Sequence, residues 1–249
     1  LNPCFKSKLR APVMSQFVKA VLFDLDGTLI DTAADFVRII GKMSGENDWQ
    51  APPEAEIREQ VSAGASSMVR LMLRHNGQLE VSEEELLEFR QQFLDDYEAD
   101  ICVDSCVFSE LEEVLRTLED KGVPWGIVTN KPRYLAELLL EAMQLDERCS
   151  VLVCPDDVSR SKPDPEPMYV ALEKLAIPRG AAESVRYIGD QRRDIEAGNA
   201  AGMTTILAAY GDMPPEDQKN LKTWGADYIT DTPKELSKLL LASGKLDYL

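Results

Sequence analysis

The chain of 249 residues lacks several features that would point to a membrane protein, a secreted scaffold or a nucleic-acid partner. No apolar run approaches transmembrane length. The five cysteines are odd in number and form no C-x-x-C pair, which argues against a disulfide framework or a structural zinc site and favours a reducing cytosol. Lysine and arginine total only 27 against 44 acidic residues, a net charge of −17. Such an acidic chain is unsuited to nucleic acid or an anionic membrane as its main partner.

The most informative segment that is present runs from Asp24 to Thr32 and reads DLDGTLIDT. It follows an apolar run typical of a buried strand, so Asp24 and Asp26 lie where that strand ends. Gly27 permits a sharp change of direction there. Two carboxylates at this position suit a nucleophile, its acid/base partner and a hard cation. A calcium loop is the alternative, but an EF-hand needs Glu at the twelfth position, where this chain has Asp35.

The pattern along the chain predicts an α/β fold with an inserted helical unit. From about residue 108 helical and strand patterns alternate, which predicts a parallel sheet covered on both faces, a Rossmann-like core. Residues 34–105 show only helical spacing and predict four helices. The expected domains are therefore a core of residues 14–33 and 106–249 and an insert of residues 34–105. The basic residues 1–13 precede Met14, and we expect them to be a non-native or disordered leader.

Polar residues also follow three later strands of the predicted sheet. Thr129 and Asn130 follow one strand, Lys162 stands before a proline, and Asp190 and Asp194 follow another strand. Each of these is a weak signal by itself, because short motifs match by chance. Their order and their shared place at strand ends predict one site at the carboxyl edge of the sheet.

With these motifs, the chain from Met14 onward resembles the haloacid dehalogenase superfamily, specifically its phosphatases with a helical cap. The segments TNKP, SKPDPEP, YIGDQRRDIEAGNAAGM and WGAD look like those of phosphoglycolate phosphatases. The segments LVCPDDVSRSKPDPEP and VSAGASSMV resemble N-acetylmuramic acid 6-phosphate phosphatases. The resemblance implies a Mg²⁺-dependent phosphatase acting on a small anionic phosphorylated metabolite. The leading expectation is a phosphoglycolate phosphatase-like activity, and N-acetylmuramic acid 6-phosphate hydrolysis in peptidoglycan recycling is the alternative. A phosphomutase or a non-catalytic regulator on the same scaffold are further alternatives.

The resemblance also implies roles for individual residues of the first motif. Asp24 would attack phosphorus and form an aspartyl-phosphate, and Asp26 would act as the acid and then the base. Mg²⁺ would lie between the Asp24 carboxylate, the Asp26 backbone carbonyl and Asp190, with Asp194 supporting those ligands.

Further roles concern the phosphoryl group and the alcohol that leaves. Thr129 and Lys162 would hold the transferring oxygens, while Asn130 and Thr28 would orient the phosphoryl group. Gln191 departs from the family pattern, in which a small residue such as Ser is frequent, but the acidic spacing is kept. In the cap we expect Arg70 to bind the leaving group, and the remaining candidates for that contact are Arg74, Ser62 and Ser66.

Overall fold

A six-stranded parallel sheet forms the centre of the fold. The computed structural model describes residues 18–241, so the expected leader of residues 1–13 lies outside the described residues. The strands follow the order β5-β4-β1-β6-β7-β8, and every neighbouring pair is parallel. Their bounds are β1 Ala20–Phe23, β4 Trp125–Val128, β5 Val151–Val153, β6 Val185–Gly189, β7 Thr204–Ala208 and β8 Tyr228–Thr230. The predicted Rossmann-like α/β core is thereby confirmed.

Helices cover both faces of this sheet. Strand residues alternate between the two faces, so that Val21 and Phe23 enter one hydrophobic cluster and Ala20 and Leu22 enter another. The helices of the core are α5 Ser109–Asp120, α6 Arg133–Ala142, α7 Glu166–Lys174, α8 Arg192–Ala201, α9 Pro215–Gln218 and α10 Pro233–Leu241. Because all strands point the same way, their carboxyl ends form a single edge where polar loops meet.

Four helices inserted after β1 form a separate packing unit, which we call the cap helices. They are α1 Ala33–Glu46, α2 Glu54–Arg58, α3 Ala65–His75 and α4 Glu83–Ala99. Their apolar faces share a hydrophobic cluster that includes Phe36, Phe93 and Tyr97. The chain enters and leaves this unit through a two-stranded antiparallel ribbon, β2 Ile30–Asp31 and β3 Cys106–Val107. The predicted number of helices is confirmed, whereas the ribbon was not predicted; the domain limits at residues 34 and 105 stay a prediction.

Capping residues explain where several helices begin. A capping box begins α4, since the Ser82 side chain accepts from the amide of Glu85, whose carboxylate accepts from the amide of Ser82. Asp164 lies two residues before α7, and its Oδ1 accepts from the Glu166 amide at 2.9 Å. The first helical hydrogen bond joins the Tyr169 amide to the Pro165 carbonyl at 3.1 Å, so α7 begins at Glu166.

Within residues 18–241, none of the helices combines the length and the apolar character needed to cross a membrane.

Candidate active site

The ends of three adjacent strands bring the predicted motifs together. Asp24 follows β1, Thr129 follows β4 and Asp190 follows β6, and these strands are neighbours in the order β4-β1-β6. Gly27 has φ +76°, and a Cβ placed on it would lie 2.9 Å from Asp190 Oδ2. Only glycine therefore lets the loop after β1 pass so close to the loop after β6.

Three buried carboxylates face one another at this edge. Asp24, Asp190 and Asp194 each offer one carboxylate oxygen, and these three oxygens lie within 4.8 Å of one another. Asp190 and Asp194 are fully buried, and only 4% of Asp24 is exposed. Burial, followed by repulsion from Asp194 and Asp24, raises the pKa of Asp190 well above its usual range. The cluster therefore has an excess of negative charge that a bound cation would neutralise.

Lys162 supplies a fixed positive charge inside this cluster. Its Nζ lies 2.9 Å from Asp24 Oδ1 and 2.6 Å from Asp194 Oδ1. It also donates to the Val128 carbonyl at 2.9 Å and contacts the Tyr187 hydroxyl at 3.0 Å. Burial by itself lowers the pKa of Lys162, but the carboxylates of Asp194 and Asp24 outweigh burial and raise it. The ammonium group is thus charged at neutral pH and is positioned beside the Asp24 carboxylate.

The two oxygens of Asp190 are held by hydroxyl groups from different parts of the chain. Thr28 Oγ1 donates to Asp190 Oδ1 at 3.1 Å, and Ser62 Oγ from the cap donates to Asp190 Oδ2 at 2.5 Å. The Thr28 side chain is fully buried and is not part of the cavity lining, so it is placed to orient Asp190 and not the expected phosphoryl group. Ser62, expected at the leaving group, also contacts this carboxylate.

The donor set fits a hard divalent cation. Carboxylate oxygens are the ligands that Mg²⁺ prefers, and Asp24 and Asp190 both offer them here. Asp194 is less suited as a direct ligand, because its Oδ1 pairs with Lys162 and its Oδ2 accepts from the Gln191 amide at 2.9 Å. Its two engaged oxygens place Asp194 behind the cation position, where it orients the lysine and the loop after β6.

A cavity of 240 Å³ opens between the carboxyl edge of the sheet and the cap helices. Its core side is polar and includes Asp24, Asp26, Thr129 and Asn130. Its cap side carries the polar residues Ser62, Ser66 and Arg90 and a larger apolar surface, formed by Phe36, Val61, Met68, Phe93, Leu94 and Tyr97. A ligand in this cavity would therefore meet reactive carboxylates at one end and an apolar wall at the other.

The cationic side chains around this cavity differ from those that the sequence suggested. Arg70 is exposed and pairs with Glu83 at 3.3 Å, and Arg74 donates to the Arg70 carbonyl. Neither arginine lines the cavity, whereas Arg90 of α4 and Arg193 of α8 do. Arg70 projects from α3 on the side away from its buried residues, which explains why it points to solvent. The candidates Ser62 and Ser66 are both part of the lining.

Lys131 is a further charged residue of the site that sequence reasoning missed. Its Nζ lies 3.0 Å from Asp26 Oδ1, and the lysine side chain is only 5% exposed. The ammonium group also lies 4.9 Å from the ring centre of Phe36 and 4.4 Å from that of Tyr97, both in the cap helices. Lys131 thus connects the acid/base candidate of the core to the aromatic side of the cap.

A buried carboxylate beside a lysine, a second carboxylate two residues further on and an acidic cluster suited to a cation therefore lie together at the carboxyl edge of the sheet. The haloacid dehalogenase-like hydrolase family matches residues 21–208 of the chain. The chain belongs to this family, and its relatives identify it as a phosphoric monoester hydrolase.

Two relatives and one solved structure illustrate the similarity. An N-acetylmuramic acid 6-phosphate phosphatase of Pseudomonas aeruginosa is 43% identical over 90% of this chain and 95% of that protein. A phosphoglycolate phosphatase of Xanthomonas campestris is 37% identical over 89% of this chain and 96% of that protein. The crystal structure of a predicted phosphoglycolate phosphatase from Haemophilus somnus has a TM-score of 0.76 at 24% identity and covers 90% of this chain and 99% of that one, which shows the shared fold.

Proposed function

We propose that the protein is a Mg²⁺-dependent phosphatase that hydrolyses its substrate through an aspartyl-phosphate on Asp24. The observation that carries this proposal is the buried Asp24 carboxylate, held 2.9 Å from Lys162 at the polar end of the cavity. The fixed ammonium group lies beside Asp24 and opposes the negative charge of an incoming phosphoryl group. A carboxylate so held is a competent nucleophile toward phosphorus.

Asp26 acts on the proton in both halves of the reaction. In the first half Asp24 attacks phosphorus, the ester bond breaks, and Asp26 protonates the departing alcohol oxygen. In the second half Asp26 takes a proton from water, which attacks the aspartyl-phosphate and releases inorganic phosphate. Asp26 suits this exchange because it lines the cavity and 18% of its side chain is exposed.

The remaining polar groups hold the phosphoryl oxygens and the cation. Thr129 and Asn130 line the cavity beside Asp24, and the Asn130 amide nitrogen is fixed by the Lys162 carbonyl at 3.2 Å. Mg²⁺ would be held by Asp24, the Asp26 carbonyl and Asp190, and when bound it screens the negative charge that gathers on phosphate.

For the substrate we propose N-acetylmuramic acid 6-phosphate. The apolar cap side of the cavity supports this choice, because a sugar ring with methyl-bearing substituents covers such a wall whereas a very small acid leaves it exposed to water. The relative from Pseudomonas aeruginosa bears the name of that activity. A peptidoglycan-derived sugar would be met in the cytosol, where free cysteines such as Cys106 and Cys149 also persist.

The second candidate substrate is 2-phosphoglycolate. The name of the Xanthomonas relative supports it, and so does Arg193 of the cavity lining, whose guanidinium group suits a small anion. This substrate would occupy only the polar end of the cavity.

Phosphate release from the two substrates, measured side by side with Mg²⁺, tests the proposal. We expect the larger kcat/KM for N-acetylmuramic acid 6-phosphate, and Asp24→Asn serves as the control for contaminating phosphatases. A preference for phosphoglycolate would reverse the substrate assignment. Formation of an isomeric phosphate without release of inorganic phosphate would indicate a phosphomutase, and no turnover of any phosphomonoester would refute the function.

A further inference from the structure

Arg90 stands out among the charged side chains of the cap helices. It is half-buried on α4 and lines the cavity. Within residues 18–241 its guanidinium group has neither a hydrogen-bond partner nor a carboxylate at ion-pair distance. By contrast, Arg38 and Arg58 of the neighbouring helices each contact two or more carboxylates. In a chain with 44 acidic residues, an arginine that faces a cavity without an acidic partner is positioned for an anion from outside the protein.

The same cavity contains other polar atoms without partners. Among the described residues, the buried Nε of Arg193 and the buried Oδ1 of Asn130 have no hydrogen-bond partner, and both residues belong to the cavity lining. An unpaired buried polar atom costs about 1–3 kcal/mol, so native proteins seldom leave several in one place. Their shared location points to a polar ligand that completes these bonds.

The helix α4 sets the distance between Arg90 and the reactive carboxylates. Tyr97 lies on the same face as Arg90, seven residues further along, and its ring packs 4.4 Å from the Lys131 ammonium that pairs with Asp26. Seven residues of α-helix span about 10 Å. Long side chains on a helix lean toward its N-terminus, so the spacing between the two side chains is largely preserved. The wall between them consists of Phe93 and Leu94.

We propose that Arg90 binds a carboxylate on the alcohol half of the substrate, on the opposite side of the apolar wall from the phosphate. This inference rests on the proposed phosphatase function and names its substrate class: the phosphate ester of a sugar-sized acid. A ring would cover Phe93 and Leu94, while its carboxylate would form paired hydrogen bonds with the guanidinium group. In 2-phosphoglycolate a single methylene group separates the ester oxygen from the carboxylate, so its two charged groups lie much closer together than the spacing of about 10 Å along α4.

Two sugar phosphates that differ in the lactyl group, which bears the carboxylate, test this role. N-acetylmuramic acid 6-phosphate carries a lactyl carboxylate, whereas N-acetylglucosamine 6-phosphate has the same ring and lacks it. For Arg90→Met, which keeps an apolar stem, we expect kcat/KM to fall about 10- to 100-fold for the first substrate, mainly through KM. For the second substrate and for p-nitrophenyl phosphate we expect a change of less than about twofold, because neither offers an anion to Arg90.

Two further variants complete the experiment. Arg116→Met serves as the matched control, because Arg116 is exposed on α5 and pairs with Glu112 far from the cavity. It should leave both substrates unaffected. Arg90→Lys keeps the charge and loses the paired geometry, so we expect a partial loss confined to the carboxylate substrate. This variant also tests the selectivity if Arg90→Met melts before the assay temperature.

Each outcome separates the role of Arg90 from the function on which it rests. If the wild type hydrolyses both sugar phosphates equally well, or if Arg90→Met affects both alike, the role of Arg90 is refuted and the phosphatase function stands. If the wild type hydrolyses only p-nitrophenyl phosphate, or prefers phosphoglycolate, the substrate class is wrong and the inference is refuted with it. If nothing is hydrolysed with Mg²⁺, the proposed function itself fails.

Discussion

Replacing Lys131 by methionine is the sharpest test of how the core and the cap cooperate. The change removes the ammonium group 3.0 Å from Asp26 Oδ1 and keeps a stem that still packs against Phe36 and Tyr97. Asp26 then loses its only ion-pair partner within residues 18–241. Because the acid/base group must point at the leaving oxygen, its orientation should relax in this variant.

The structure allows the size of the effect to be estimated. Removing one partner of a buried ion pair costs about 3–5 kcal/mol, and the lower end applies here because 18% of the Asp26 side chain meets the cavity. About 3 kcal/mol corresponds to a fall in Tm of roughly 6–12 °C for a domain of this size. A poorly oriented general acid should lower kcat about 100-fold, within the range that general acids contribute.

Thermal unfolding and steady-state kinetics of a double-mutant cycle measure both effects. The cycle combines Lys131→Met with Asp26→Asn, and we expect the double variant to be less destabilised than the sum of the single variants. Lys42→Met is the matched control, because it removes an ion pair with Asp96 within the cap helices in which the lysine is 40% exposed. The Tm of this variant should hardly change, since an exposed ion pair contributes little to stability. Additive changes in the cycle, or a Lys131→Met enzyme with full kcat and Tm, would refute the reasoning.

Four further predictions concern the carboxylates. Asp24→Asn should abolish turnover yet melt no lower than the wild type, because it removes one of three mutually repelling carboxylates; residual turnover would exclude Asp24 as nucleophile. Asp26→Asn should lose turnover while calorimetry still detects Mg²⁺ binding through the backbone carbonyl. Chelation should stop phosphate release, and added Mg²⁺ should raise Tm, with a smaller shift in Asp24→Asn. Burial raises the pKa of Asp212 to about 6, whereas the unfolded chain releases this proton near pH 4. The folded state therefore binds the proton more tightly, and the free energy of unfolding falls as pH rises between these two values. In chemical unfolding, Asp212→Asn should therefore raise the free energy of unfolding by about 1–3 kcal/mol at pH 7 and leave it unchanged at pH 3.5. Glu216→Gln, at an exposed position, should leave the free energy of unfolding unchanged at both pH values.

The sequence predicts most of the core because its signals are local. Asp24, Thr129 and Asp190 each directly follow a strand, and parallel strands bring such positions to one edge of the sheet. Asp24, Thr129 and Asp190 therefore meet without any knowledge of the packing. The four cap helices follow from helical spacing in the same way, whereas the ribbon of β2 and β3 is too short to leave a pattern.

Contacts between distant segments leave no comparable signal. The pair of Lys131 with Asp26 joins positions 105 residues apart, and the bond from Ser62 to Asp190 spans 128 residues. The first depends on the side-chain directions of two loops that follow the neighbouring strands β1 and β4, and the second on how the cap helices pack over the sheet edge. Thr28 shows the same difficulty at short range, because the sequence places its hydroxyl near the site but does not tell whether it faces Asp190 or the cavity.

Arg90 lies between these two cases, because its position in the helix does carry a signal. The apolar stripe of α4 includes Leu86, Phe93 and Tyr97, and Arg90 falls four residues after the first and three before the second, within that stripe. A charged residue on the buried face of an amphipathic helix needs a partner. Arg70, by contrast, lies outside the buried stripe of α3, and solvent and Glu83 satisfy it. The position of an arginine around its helix therefore distinguishes Arg90, which faces the cavity, from Arg70, which faces solvent. Closeness to a sequence motif does not make this distinction. In the substrate assays, replacing Arg90 should lower activity toward the carboxylate substrate, whereas replacing Arg70 should not.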